Sequence, residues 1–173
     1  SSSAVLDATK SLLARGIEAI WVGGDSTVSA SLETLIATAH EGGVPVFSNM
    51  PGDVKRGAVF ALGADYYAVA RSSGELAARV LRGADPAGIP VENVVPEQLA
   101  INEVALEPFR ARWKFGADWR GKAKIKVDAE GVHETRPSRP KAPVQARAGE
   151  KYHISIVYFA PDPVAQATIA GLE

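Results

Sequence analysis

The sequence contains no cysteine and only three histidines among its 173 residues. The lack of cysteine excludes disulfides and cysteine-ligated zinc, and it leaves the redox compartment open. No apolar run reaches the roughly 18 residues that a membrane-spanning helix needs. The first residues, SSSAVLDATK, are not a basic region followed by an apolar one. We therefore expect neither a membrane span nor a signal peptide within this sequence.

Motifs of catalysis and cofactor binding are also missing. The chain has no G-x-S-x-G, no GxGxxG, no Walker A lysine motif and no HExxH. His40, His133 and His153 share no spacing typical of metal ligands. Asp25 and Asp53 could form a carboxylate pair, but isolated acids in turns more often cap helices or lie in solvent. We expect no enzyme activity, no cofactor and no metal site.

Charge is unevenly distributed along the chain. Residues 110–147 hold eleven Lys or Arg against four Asp or Glu, whereas the rest holds 8 and 16. The formal net charge of -1 argues against a general polyanion binder. Within the basic region, Glu134 to Glu150 has three prolines and almost no large apolar residue, which is typical of a linker.

Hydrophobic periodicity predicts alternating strands and helices. We expect a helix over Ala4–Gly16, a strand over Ala19–Val22, a helix ending at Gly42 and Gly43, and a strand over Pro45–Phe47. Residues 53–63 are predicted to be helical, residues 65–69 to form a third strand, and residues 71–83 to form a further helix. This alternation favours an α/β fold with a parallel sheet and helices on both of its faces.

Polar, glycine-containing segments directly follow the first two predicted strands. GGDST comes after the first and SNMPGD after the second. In open parallel sheets, ligands bind at the carboxyl ends of strands, where turns expose backbone N–H groups and helix N-termini. Ser26 or Thr27 could instead only cap the next helix. Two such turns, with Asp25, Ser48 and Asn49, indicate a candidate ligand site.

The same segment resembles a known family. The D-x-T-V-x-A-S-L-E pattern, the V-K-R-G-A-x-x-A-L-G-x-D-Y-Y run and G-E-L-A-A-R-V-L-R-G followed by I-P-V-E are similar to the later part of the TrpX-like ABC-transporter substrate-binding proteins. The resemblance covers about Ser1 to Val104. It implies one lobe of a type I periplasmic binding protein-like fold, in which two α/β lobes close over an aromatic amino acid or another small solute.

The resemblance also implies ligand-binding positions. Two sets of residues correspond to the family's cleft and to the crossover between its lobes: Gly24, Asp25, Ser26, Thr27, Ser48 and Asn49 at the cleft, and Tyr66 and Tyr67 near the crossover. Where members commonly read T-D-N-T-V, this chain has Gly24 to Val28, and Asn49 replaces a common aspartate. The missing carboxylate could have paired with an amino-acid ammonium, so specificity for amino acids is open.

The resemblance further predicts the domain organisation. Ser1 would fall in the middle of the second lobe, so the chain would be a piece of a longer, tandem protein. We expect an α/β binding-protein lobe at 1–105, a basic connector and linker at 106–150, and the start of a second module at 151–173. The last part reads as an apolar strand, Tyr152 to Phe159, followed by a helix. An unpaired strand of this kind would join a sheet, either in its own lobe or in a second copy of the chain.

Basic and aromatic residues interleave in RWKFGADWRGKAKIKV. Such a pattern could stack bases and bind phosphates, but the aromatic residues could also anchor the segment to the lobe. No nucleic-acid module surrounds it, so we favour anchoring and expect no nucleic-acid partner.

The sequence as a whole predicts an extracytoplasmic solute-binding component of an ABC importer, with a membrane permease as its partner. A regulatory domain that senses a small ligand on the same fold is the alternative.

Overall fold

The computed structural model describes residues 2–91 and 95–135. The predicted linker beyond Thr135 and the C-terminal strand and helix lie outside the described residues. Within the described ranges, no helix is both long and apolar enough to cross a membrane.

The chain divides into two compact units. The first contains the residues up to Asp65 together with 93–134, and the second begins at Tyr66 and includes the residues up to Glu92. Residues 66–92 lie inside the lobe predicted at 1–105, but they belong to a different unit from the residues before and after them.

The first unit is an α/β domain. Its helices are α1 (Ser2–Ala14), α2 (Ser26–Ser29), α3 (Leu32–Glu41), α5 (Glu103–Leu106) and α6 (Trp119–Lys122). Its strands are β1 (Ile20–Val22), β2 (Val46–Ser48), β3 (Phe60–Ala64), β4 (Glu97–Asn102), β5 (Ile125–Asp128) and β6 (Gly131–Glu134). Two 3₁₀ helices, Pro51–Arg56 and Glu107–Phe109, complete the unit.

The six strands form one sheet in the order β1-β2-β3-β4-β5-β6. β1, β2 and β3 are parallel, and β5 is parallel to β4. β4 runs antiparallel to β3, and β6 runs antiparallel to β5. The predicted α/β fold is confirmed, and its sheet is mixed.

Both faces of this sheet are covered. Ile20, Val22 and Val46 pack against Leu32 and Ile36 on one face, in a buried cluster that α1 also contacts. Side chains alternate across a strand, so Phe47 and Phe60 point to the opposite face. There the chain after β4 covers them, because Trp113 meets Phe47 and Trp119 meets Phe60 with ring centroids 5.1 and 5.0 Å apart.

Two predicted elements were wrong. Residues 53–63 are not a helix: the 3₁₀ helix ends at Gly57, whose φ of 110° is left-handed, and β3 follows. Residues 65–69 are not a strand, because α4 (Tyr66–Leu81), a helix of the second unit, begins at Tyr66, and a 3₁₀ helix, Pro86–Gly88, follows it in that unit. Tyrosine favours strands, and this preference led to the wrong prediction. The helical pattern overrides it, because no glycine or proline interrupts that pattern before Gly74. Gly83, with φ 98°, follows this helix as predicted.

The first part of the predicted connector is folded. Residues 106–134 include the 3₁₀ helix, α6 and the hairpin of β5 and β6, and they belong to the first unit. Ile125 is buried and pairs with Ala100 of β4, so the short apolar alternation of this basic region is sufficient to extend the sheet.

Candidate functional site

The carboxyl ends of β1, β2 and β3 meet at one edge of the sheet. Asn49, directly after β2, donates its backbone N–H to the Val22 carbonyl at the end of β1, at 3.2 Å. On its other side, the Asn49 backbone lies against β3: a Cβ added at Gly63 would be 1.7 Å from the Asn49 carbonyl oxygen. Three neighbouring strands thus place Val22, Asn49 and Gly63 together, and we call this place the strand-end site.

Gly24 approaches the strand-end site from the turn after β1. A Cβ at Gly24 would be 3.6 Å from Sδ of Met50 and 3.9 Å from Oδ1 of Asn49. The exposed surface of the turn therefore borders the Asn49 side chain directly.

The side chain of Asn49 has an unsatisfied acceptor. Its Oδ1 is buried and has no hydrogen-bond partner among the described residues. A buried carbonyl oxygen without a donor costs about 1–3 kcal/mol, so such an atom is typical of a position that receives a donor from a ligand or an ordered water.

Asp25 stabilises the turn itself. Its Oδ1 accepts a 2.9 Å hydrogen bond from the Val28 N–H, and its backbone is extended, which is the geometry of a helix N-cap. Ser26 and Thr27 follow as the first residues of α2, and both are exposed. Of the four predicted residues in this turn, Asp25 thus has a structural role, and the two hydroxyl side chains face solvent.

Ser48 is committed to internal contacts. It is buried, donates a 2.6 Å hydrogen bond to Oδ2 of Asp53 and accepts one of 2.9 Å from the Met50 N–H. Burial raises the pKa of the Asp53 carboxyl above its usual value, while the Ser48 hydrogen bond and the charge of Arg56 act against that rise. Ser48 and Asp53 therefore fix the loop that carries Asn49.

Tyr66 and Tyr67 belong to the second unit. They are the first two residues of α4, and both are half-buried. The structure thus brings Gly24 and Asn49 together in the first unit, whereas the two tyrosines are on another unit.

Two contributions to the strand-end site were missed by the sequence analysis. Met50 packs beside Gly24, and Gly63 allows the close approach of Asn49. Gly63 could have been noticed as a glycine inside an apolar strand, a pattern that often marks close backbone contact.

The aromatic part of the basic segment, residues 112–119, lies apart from the strand-end site, on the sheet face that carries Phe47 and Phe60. Its indole rings pack on Phe47 and Phe60, which favours anchoring over base stacking. Beside them lies an open groove of about 290 Å³. Its lining includes Leu106, Arg110, Trp113, Lys114, Phe115 and Arg120. Arg110 and Arg120 are already paired with Glu107 and Glu103.

In open α/β sheets, ligands bind at the carboxyl ends of the parallel strands, which is where the strand-end site lies. Residues 1–111 match the family model described as ABC transporter substrate binding protein. The chain belongs to this family.

Similar proteins and solved structures agree with this family assignment. A tyrosine-binding protein of Clostridioides difficile (strain R20291) is 32% identical over 118 residues, which are 68% of this chain and 34% of that protein. The structure is similar to a conserved domain protein from Vibrio cholerae, with a TM-score of 0.57, 27% identity and coverage of 72% of this chain and 41% of the other. An ABC domain from Streptococcus pneumoniae in complex with L-Trp shares the fold, with a TM-score of 0.59, 19% identity and coverage of 73% and 42%. The chain spans about a third to two fifths of the length of these relatives.

Proposed function

We propose that this chain contributes one lobe to the substrate-binding component of an ABC-type import system, and that the strand-end site is one wall of its ligand cleft. The whole protein would work outside the cytoplasm and pass its solute to a membrane permease. It would act by binding and closure, without a chemical step. The observation that carries this proposal is the buried, unpartnered Oδ1 of Asn49 beside Gly24.

An amino acid is the solute class that we propose. Oδ1 of Asn49 can accept a hydrogen bond from an α-ammonium group, and the exposed hydroxyls of Ser26 and Thr27 can donate to a carboxylate. The names of two relatives, a tyrosine-binding protein and a complex with L-Trp, support this class. A neutral amide in place of a carboxylate gives a weaker contact with an ammonium, because only one partner is charged.

Closure on the solute would use the segments by which the chain leaves and rejoins the first unit. The chain leaves this unit after Asp65, and the described residues from Val95 onward belong to it again. Where these two segments run side by side, the Asp65 N–H donates a 2.8 Å hydrogen bond to the Pro96 carbonyl. Paired crossings of this kind are suited to hinge motion, because a few terminal residues can absorb the change in backbone angles.

The test is an NMR titration of the chain with L-tryptophan. We expect saturable shifts at the amides of Gly24, Asn49 and Gly63 with weak affinity, because one wall alone leaves the ligand largely hydrated. Asn49→Ala should abolish these shifts, and Gly52→Ala is the matched control, since a Cβ at Gly52 meets nothing within 4 Å. Shifts confined to the groove around Trp113, or an unchanged response in Asn49→Ala, would contradict the proposal. Micromolar binding in calorimetry would count against the proposal that this chain supplies only one wall of the cleft.

A further inference from the structure

The hairpin of β5 and β6 brings together three side chains that are distant from the strand-end site. Asp128, the last residue of β5, pairs with Gly131, the first residue of β6. Ala129 and Glu130 form the turn between them, and the Glu130 N–H donates a 3.0 Å hydrogen bond to Oδ1 of Asp128. The turn thereby holds the aspartate carboxylate in place.

Strand alternation puts Asp128 and His133 on the same face of the hairpin. Lys126 pairs with His133, and Asp128 lies two residues beyond Lys126 on the same face. Because Gly131, opposite Asp128, has no side chain, the His133 ring can reach across the diagonal. Its Nε2 lies 2.9 Å from Oδ1 of Asp128.

Glu130 completes the cluster from the turn. One ligand atom from each of Asp128, Glu130 and His133 lies within 4.8 Å of the other two. Asp128 is half-buried and the other two side chains are exposed, so an ion could enter from solvent.

The spacing is compatible with a single metal ion. Imidazole nitrogen and carboxylate oxygen each bind zinc at about 2.0–2.2 Å. Two ligand atoms at that distance are about 3 Å apart at the right angle of an octahedral site, which is close to the separation of Nε2 and Oδ1, and about 3.4 Å apart at the tetrahedral angle that zinc prefers, which a small movement of the exposed His133 ring would reach. Imidazole suits Zn²⁺ and Ni²⁺, and both accept carboxylate oxygen in the same site.

We propose that Asp128, Glu130 and His133 form a surface site for a divalent transition-metal ion, Zn²⁺ or Ni²⁺, with water in the remaining positions. The positive charge of Lys126 on the same face weakens the site, so we expect micromolar affinity. Bound metal would tie the turn to the edge strand β6. The histidines share no metal-ligand spacing in the sequence, so the site arises only when the hairpin adds the two carboxylates to His133.

This site is independent of the proposed solute function. β5 and β6 lie at the end of the sheet opposite β1, on the far side of β3 and β4 from the turn after β1. Loss of metal binding should therefore leave any response to L-tryptophan unchanged.

Calorimetric titration of the full chain, without a polyhistidine tag, with ZnCl₂ and NiCl₂ tests the site. We expect one saturable site per chain. His133→Ala and Asp128→Asn should each weaken it about tenfold or more, since even outer contacts to a metal site typically contribute 10–100-fold. Asp7→Asn is the matched control for Asp128→Asn, because Asp7 is exposed on α1 and lies outside the hairpin.

A second readout locates the ion. Ni²⁺ is paramagnetic, so substoichiometric Ni²⁺ should broaden the amide signals of Gly131 and Val132 while leaving those of Gly24 and Gly63 sharp. Equal affinity in wild type, His133→Ala and Asp128→Asn would overturn the proposal. So would a loss of binding in Asp7→Asn, or broadening centred elsewhere. Both hairpin variants change exposed or half-buried positions, and retention of the thermal transition shows that they fold.

Discussion

The hydroxyl of Ser48 donates a 2.6 Å hydrogen bond to Oδ2 of Asp53, and both side chains are buried directly beneath the strand-end site. Ser48 ends β2, while Asp53 lies in the 3₁₀ helix that follows. The bond therefore closes the loop that carries Asn49 and Met50. It is a structural contact, and it determines where the unsatisfied oxygen of Asn49 lies.

Ser48→Ala should destabilise the first unit by about 1–3 kcal/mol, because a buried carboxylate loses its hydroxyl donor and the Met50 N–H loses its acceptor. Urea denaturation followed by circular dichroism measures the change. Ser11→Ala is the control: Ser11 is exposed on α1, and its replacement should alter stability by no more than about 0.5 kcal/mol. Equal stabilities for the two variants would mean that the bond contributes nothing net.

Asp53 and Glu33 should give opposite pH dependences. Burial raises the folded-state pKa of Asp53 above 3.8, so its contribution to stability is present at lower pH and is lost as the pH rises through the folded value. The hydrogen bond from Arg56 lowers the pKa of Glu33 below 4.5, so its contribution is lost as the pH falls through that lowered value. Relative to wild type, Asp53→Asn should gain stability as the pH rises from about 3 to about 7, and Glu33→Gln should lose it. Parallel trends in the two variants would refute this assignment.

Gly63→Ala should disrupt the strand-end site. A Cβ there would lie 1.7 Å from the Asn49 carbonyl oxygen, so the backbone of β2 or β3 must move. We expect a loss of several kcal/mol and shifted amide signals at Asn49. Gly52→Ala, at a glycine with open space, should fold like wild type. A Gly63→Ala chain with wild-type stability and spectrum would show that the strands are not in this close contact.

The sequence predicted the first half of the strand-end site better than the second. Ile20 and Val22 belong to a short apolar run, and a glycine turn capped by Asp25 follows directly. Local signals in the sequence therefore determine β1 and the turn after it. Residues 57–64 carry a short apolar run that fits a helix or a strand equally well. Their state depends on β4, which is distant in sequence and pairs with β3 in antiparallel orientation. Likewise, no local pattern marks Oδ1 of Asn49 as unpartnered, because its environment comes from three strands.

His40 should make the first unit sensitive to mild acid. Its ring packs edge-on against Phe109 at 5.0 Å, and its buried Nε2 has no hydrogen-bond partner among the described residues. Burial lowers the folded-state pKa of His40 below 6.5, so stability is lost as the pH falls from about 6.5 through the folded value. His40→Gln should lose less stability than wild type between about pH 7.5 and pH 5 in thermal melts. Ala37→Gln, at an exposed position of the same helix, is the control, and an equal response of wild type and His40→Gln would disprove the role of His40.

The C-terminal segment should drive association between chains. Residues 152–159 form an almost continuous apolar run, YHISIVYF, which is typical of a strand buried on both faces. Such a strand exposes unpaired backbone groups unless it joins a sheet, either in its own chain or in a second copy. Ile156→Lys places a charge in the middle of the run and should reduce both the mass measured by light scattering and the thermal stability. Gln145→Lys adds the same charge in the proline-containing linker and should change neither quantity. If Ile156→Lys keeps the mass and the melting temperature of wild type, the segment does not pair with a sheet.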